Sequence, residues 1–258
     1  MEIRLLHRAA EAGHDVSTRL EVGSADSVAR ASTQSVLEDW YRPPSDPWLR
    51  INLITAVSGD AAGADGTSDT LSNPADRAIL KAIRDVADAV VVGAASVRAE
   101  GYRVPSKARL AVVTSSGDLS GHRIADDLAE RVIVVCPASA VDRVQSSLGG
   151  TVAACATIFV VDDADGRLQP ADIVRALHEQ GLTSLICEGG PSLAGQFVRA
   201  GLVDELCLTT SPVVIGSGLP AFGSERFDAS SLSLTQLLID DQSALYARWR
   251  VEGDRATL

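Results

Sequence analysis

Short apolar runs alternate with segments of helical periodicity along most of the chain. "LRINLITAV" (49–57) is rich in β-branched residues and gives way to the Gly/Asp/Ser stretch "SGDAAGADGTSDTLSN". "PADRAILKAIRDV" then sets Ile79, Leu80, Ile83 and Val86 at helical spacing, and "ADAVVVG" returns to a strand-like run. "RLAVVTSSG", "RVIVVC" and "TIFVVDD" read as further short strands, each trailed by polar or glycine residues. "PADIVRALHEQG" is a helix entered at Pro170 and stopped at Gly181, and "LTSLICEGG" followed by "PSLAGQFVRAG" repeats the strand–helix step. "DELCLTTSPVVIG" and "SLTQLLIDDQSALYARWRV" close the chain as strands with no helix between them.

Strands that are apolar throughout, rather than on alternate residues, belong to sheets covered on both faces. Helices interleaved with them imply parallel connections, so the pattern predicts one α/β domain with a mostly parallel sheet. The last two strands are expected to form an antiparallel hairpin at a sheet edge. Residues 1–47 are less patterned and end in "YRPPSDPW", whose prolines break any helix. They are read as an N-terminal extension to a domain spanning 48–258.

Composition removes several function classes. A net charge of −11 denies the chain the basic footprint that nucleic-acid binding needs. It also makes capture of a phosphorylated small molecule a matter of local geometry, because the global field opposes it. No run approaches the ~18 apolar residues of a membrane span, and "MEIRLLHRAAEAGHD" lacks a secretory core. Cys136, Cys155, Cys187 and Cys207 form no CxxC pair and read as free thiols of a reducing, cytoplasmic compartment. His7, His14, His122 and His178 show no metal spacing and no triad with a serine, so no metal is expected.

In an open parallel sheet, ligands bind beyond the carboxyl ends of the strands. Small, hydroxyl or acidic residues follow four of the apolar runs here: "SGDAAGADGTSD", "GAASVRAE", "TSSG" and "EGGPS". Gly189 and Gly190 permit close backbone approach, and Pro191 suits a first helical position. The amides of Gly190, Ser192 and Leu193 would then face one anion, or the turn simply joins strand to helix. Gly93, Ala94 and Ser96 repeat that choice. Asp76 lies in the first turn after the candidate cap Asn73 and on the apolar stripe. It is either a dipole-satisfying element or an acid presented to a pocket.

In order along the chain, "INLITAVSG", "GTSDTLSNPADR", "DAVVVGAASVRAEGY", "LICEGGPSLAGQF", "GLVDELCLTTSPVVIGSG" and the closing hairpin resemble one family. It is the C-terminal reductase domain of the bacterial riboflavin-pathway deaminase-reductase. The "YRPPSDPWLRINL" entrance looks like stand-alone actinobacterial homologues. Neither HxE nor PCxxC occurs, so the deaminase half has no counterpart in this sequence.

The resemblance implies a dihydrofolate-reductase-like, three-layer α/β/α fold that binds NADPH across the strand ends. Gly93, Ala94, Ser96, Thr114 and Gly189 to Leu193 would hold the cofactor. Asn52, Ser68, Arg84 and Glu188 would bind a phosphorylated pyrimidine, with Asp76 or Glu100 supplying a proton. Arg98 and Thr114-Ser115-Ser116 are candidates for the 2′-phosphate. The implied reaction is hydride transfer to the sugar C1′ of 5-amino-6-(5-phosphoribosylamino)uracil, in a cytoplasmic homodimer joined through the late strand "LCLTTSPVVIG". Reduction of another pterin or pyrimidine such as dihydrofolate, or nucleotide binding without turnover, are the alternatives. The sequence departs from the family at Ala56-Val57-Ser58-Gly59, where Ser-Leu-Asp-Gly is usual, and at Ser96, where threonine is common. Asp60 is the nearest substitute for the missing carboxylate.

Overall fold

The sheet is built around β3 (Trp48–Ala56), which lies at its centre with parallel neighbours on both sides. The computed structural model describes residues 1–9, 18–63, 65–164 and 166–253. His14 and the end of the 48–258 segment therefore lie outside the described residues. Upstream of β3 come β1 (Glu2–Arg8), β2 (Arg19–Glu21) and α1 (Ser27–Tyr41). Downstream follow α2 (Pro74–Asp85), β4 (Ala89–Gly93), α3 (Ala94–Glu100), β5 (Arg109–Val113) and β6 (Val132–Cys136). The chain continues with α4 (Val141–Leu148), α5 (Gly150–Cys155), β7 (Thr157–Val160) and a small ribbon of β8 (Asp163–Ala164) and β9 (Arg167–Leu168). It closes with α6 (Pro170–His178), β10 (Ser184–Gly189), α7 (Pro191–Arg199), β11 (Glu205–Ser211), β12 (Leu232–Asp240) and β13 (Leu245–Val251).

The main sheet has eleven strands among the described residues, in the order β2-β1-β12-β13-β11-β3-β10-β4-β5-β6-β7. It is parallel from β11 to β7 and antiparallel from β2 to β11. Alternate residues of each apolar strand feed different cores. Val90, Val92, Val132 and Val134 face α1 to α5, whereas Val91, Ile133, Val135 and Cys187 face α6 and α7. That division explains the continuous apolar runs and gives the three layers.

Two expectations need correction. The closing hairpin β12–β13 is antiparallel, but it is not at the edge, because β1 pairs with β12 and β2 with β1. Likewise β11 lies inside the sheet between β3 and β13, so "LCLTTSPVVIG" presents no free strand edge. Only its continuation is exposed, at Val213 and Val214. Before Trp48, the described elements β1, β2 and α1 belong to the same body: β1 and β2 extend the sheet, and Leu37, Trp40 and Tyr41 of α1 are buried in its core.

The long connection from β11 to β12 folds over α7. A methyl on Gly195 would meet the Phe222 carbonyl oxygen at 2.5 Å and the Glu225 Cβ at 2.8 Å. Gly195→Ala must displace that backbone, and a loss of about 1–3 kcal/mol is expected for forced overpacking. Urea unfolding of the variant measures it.

Candidate functional site

The carboxyl ends of β3, β4 and β10 open into a cavity of about 780 Å³ bordered by the β3–α2 loop, α2 and α3. Asp76, on α2, is a buried acid of its lining. Asn73 takes the capping role, its Oδ1 accepting the amides of Ala75 and Asp76 at 2.9 Å. Asn73 Nδ2 in turn donates to Asp240 at 2.7 Å, and the Tyr246 hydroxyl donates to the same carboxylate oxygen at 2.7 Å. The hairpin thus pins the start of α2 and frees Asp76 from capping.

The Asp76 carboxyl receives the Ser72 hydroxyl at 2.8 Å on one oxygen and the Thr209 hydroxyl at 2.8 Å on the other. Only 8% of the residue is exposed, so its charged form is costly. Burial pushes its pKa up against the stabilising hydroxyls and the Arg77 charge. An oriented acid that keeps its proton to higher pH than an ordinary carboxyl is the result. Glu100, at the end of α3, is also shifted upward, first by partial desolvation and then by the charges of Asp69 and Glu188.

Glu188 and Arg84 meet in a bidentate pair. Arg84 Nε donates to Oε1 at 2.7 Å and Nη2 to Oε2 at 2.5 Å. Nη2 also donates to the Tyr102 hydroxyl at 2.9 Å, with the guanidinium over the Tyr102 ring. The strand register between β10 and β4 skips Glu188, which stands as the extra residue of a bulge and is aimed at α2. The pair is locally neutral. Other cations on the wall, Arg77, Arg103 and Arg123, are exposed.

Gly93 and Gly190 bring two strand ends together. A Cβ on Gly93 would lie 3.7 Å from the Gly190 amide nitrogen, and one on Gly190 would lie 3.2 Å from Ser96 Oγ. The Gly189–Gly190 peptide is cis. Gly190 caps α7 without a side-chain hydrogen bond, leaving its first turn to accept an outside anion. A cleft of bare backbone, one hydroxyl and a helix start fits the pyrophosphate of a dinucleotide.

The sequence profile of the RibD C-terminal domain matches residues 47–245. The chain belongs to the RibD C-terminal domain family. The riboflavin biosynthesis protein RibD of Mycobacterium tuberculosis is 27% identical over 181 residues, covering 68% of this chain and 45% of that protein. A 2,5-diamino-6-ribosylamino-4(3H)-pyrimidinone 5′-phosphate reductase of Methanothermobacter thermautotrophicus is 25% identical over 180 residues, 66% of this chain and 80% of that one. The crystal structure of a pyrimidine reductase-like protein from Corynebacterium diphtheriae aligns with a TM-score of 0.70 at 26% identity. That alignment covers 81% of this chain and 93% of the other. The chain spans about half the length of the RibD proteins it matches first. Its fold is the dihydrofolate-reductase-like α/β arrangement of RibD-type reductases.

Within this RibD domain, Asn52, Ser68, Asp76, Arg84, Ser96, Glu100, Glu188, Gly189, Gly190 and Pro191 all border the cavity. Gly93, Ala94, Thr114, Ser192 and Leu193, expected to hold the cofactor, are not among the residues that line it. Thr114 is buried, its Oγ1 accepting the Gly117 amide at 3.0 Å. The Leu193 amide donates to the Gly190 carbonyl at 3.0 Å, and its side chain packs in the core beneath α7. Asp60 does not replace the family's missing carboxylate inside the cavity. It takes the Ser217 hydroxyl at 2.9 Å, the Gly218 amide at 2.8 Å and the Ser58 hydroxyl at 3.0 Å, bracing the loop after β11.

Sequence reasoning missed Ser72, Thr209, Tyr102 and the arginines of the wall. Arg77 and Arg103 were open to detection, since each lies within four residues of a motif residue. Thr209 was not, because its partner is 133 positions away. No cluster of His, Cys, Asp and Glu with metal-binding geometry occurs among the described residues.

Proposed function

We propose that this RibD domain is a reductase of 5-amino-6-(5-phosphoribosylamino)uracil, using NADPH to convert the ribosylamino group to a ribitylamino group. One observation carries the reading: the buried, hydroxyl-held Asp76 shares a single cavity with the glycine cleft around Gly190 and Ser96. The nicotinamide, when bound, would supply the hydride. The cleft of Ser96 and Gly189 to Pro191 would orient it, with Gly93 backing Gly190.

Asn52, Ser68 and Asp76 present hydrogen-bonding groups to a polar heterocycle. The ring-opened substrate carries a C1′=N bond; a hydride joins C1′ and one proton joins the nitrogen. Asp76 holds that proton, and Glu100 at the cavity rim can return one from solvent. Arg98, whose Nη1 donates to the Asp118 carbonyl, stands near the exposed Ser115 and Ser116 as the candidate setting for a 2′-phosphate. The reading includes a cytoplasmic homodimer. No helix among the described residues is long and apolar enough to cross a membrane. An apolar hollow lined by Leu206, Phe222, Phe227 and Leu232 offers a contact surface.

Loss of NADPH absorbance on adding the phosphoribosylamino-uracil is the test. Oxidation with that substrate, and none with dihydrofolate, is expected. Oxidation by dihydrofolate alone would reassign the ring, and NADPH binding without oxidation by either would leave a nucleotide-binding module.

A further inference from the structure

Four buried polar atoms where α1 lies over β1 and β12 have no hydrogen-bond partner: Arg8 Nη1, Trp40 Nε1, and both Nε2 and Oε1 of Gln236. Gln236 is wholly buried and Trp40 is 1% exposed. The sheet register brings these groups together. Gln236 pairs with Arg8 of β1 on one side and with Arg248 of β13 on the other. Paired residues share a face, at about 5 Å per strand. That face is the one α1 covers, since Leu238, two residues beyond Gln236, packs in the same core as Trp40. Arg248 Nη1 donates to the Trp40 carbonyl, and the Arg8 guanidinium lies 5.9 Å from the centre of the Trp40 ring.

The chemistry of the four atoms selects a partner. Trp40 Nε1 offers one N–H, and the nitrogens of Arg8 and Gln236 offer two each, against a single acceptor, Gln236 Oε1. Charge is unbalanced as well. Glu205 is taken up by Arg50 and Arg248, and Arg8 has no ion-pair partner among the described residues. Burial, and then the Arg248 charge, disfavour the Arg8 cation, while the carboxylate that favours it, Asp39, is exposed on α1. A water molecule would accept some of these hydrogens but bring two more of its own. A monatomic anion accepts from every side and offsets the guanidinium charge.

We propose that Arg8, Trp40 and Gln236 form a binding site for a halide ion such as chloride, which ties β1 and α1 to the β12–β13 hairpin. Arg8 and Trp40 precede the segment matched by the RibD profile, and Gln236 lies within it. The ion therefore joins an added N-terminal segment to the reductase domain. None of the three residues lines the cavity beyond β3, β4 and β10, and the site is independent of the reductase reading.

Thermal melts of the full chain in sodium chloride or bromide, compared with sodium glutamate at equal ionic strength, are the test. Above the dissociation constant, each tenfold rise in halide is expected to raise the melting point by roughly 3–6 °C, the linkage of one bound ion in a chain of this size. Glutamate should give no such logarithmic rise. Gln236→Leu removes the amide and Arg8→Met the charge, and each should flatten the halide response. Crystals grown in bromide give a reading that needs no variant. An anomalous bromide peak in hydrogen-bond contact with Trp40 Nε1 and Gln236 Nε2 is expected. An ordered water there without anomalous signal, equal stabilisation by halide and glutamate, or a halide response undiminished in both variants would overturn the assignment.

Discussion

Asp76→Asn is expected to lower kcat by a factor of roughly 10²–10⁴, the span of a positioned acid or base, while nicotinamide affinity changes little. The separation follows from where the residue sits. Asp76 is held by Ser72 and Thr209 on α2 and β11, whereas the cleft for the dinucleotide is made by the ends of β4 and β10. Asparagine keeps the shape and can satisfy both hydroxyls, but it has no proton to give at neutral pH. Burial raises the Asp76 pKa, so the protonated form persists above the ordinary carboxylate range. If that proton is used, wild-type kcat falls as pH climbs through the raised pKa, and Asp76→Asn loses this limb.

Stability should move the other way. A carboxyl whose folded pKa exceeds its unfolded one favours the native state at low pH, and that advantage disappears as pH rises through the folded value. Above the raised pKa the ionised, buried Asp76 is a cost that asparagine removes. The variant should therefore melt no lower than wild type while being far less active. A variant that loses stability and activity together would assign Asp76 to the fold rather than to the reaction. kcat profiles and thermal melts on the same preparation decide between them.

Period and capping made most of this layout legible. Continuous valine and isoleucine runs marked β4, β5 and β6 as doubly covered strands, and Asn73-Pro74 marked the start of α2. Asp76 was visible as a carboxylate on an apolar stripe, although its partners were not. The sequence also held the glycines that let β4 and β10 approach. What escaped depends on long-range pairing. "EIRLLHR" buries Ile3 and Leu5 but exposes Leu6, an alternation too short to announce a strand. Its role as neighbour to β12 follows only from the tertiary fold. The family resemblance implied Glu188 as a substrate ligand. Its bidentate bond to Arg84 arises because a bulge in β10 aims it at α2, a register event invisible in one dimension.

Glu205→Gln is expected to destabilise the protein by about 3–5 kcal/mol, the cost of leaving buried charges without their partner. Glu205 is 2% exposed and lies between Arg50 and Arg248, themselves 3% and 7% exposed. Arg50 Nε and Arg248 Nε both donate to it, the latter at 2.8 Å. The same guanidiniums reach onward to α1: Arg50 Nη2 donates to the Tyr41 carbonyl at 2.8 Å, and Arg248 Nη1 donates to that of Trp40. These carbonyls end the helix, where cations are favoured. One carboxylate therefore fixes β3, β11, β13 and the N-terminal helix together. Burial by itself would raise the Glu205 pKa, but the two guanidiniums overcome it and hold the carboxyl below its ordinary range. A depressed pKa contributes stability that is full above the unfolded pKa and is lost as pH falls through the folded one. Acid titration of wild-type stability should show that loss, and Glu205→Gln should lack it. Hydrogen exchange should find the amides of 27–41 deprotected in the variant before those of β4 and β5. Replacing all three residues with apolar side chains of similar volume should recover much of the stability, because no charge is then stranded. Failure of both single and triple variants to differ from wild type in urea would show that the triad neither holds α1 nor costs anything to break.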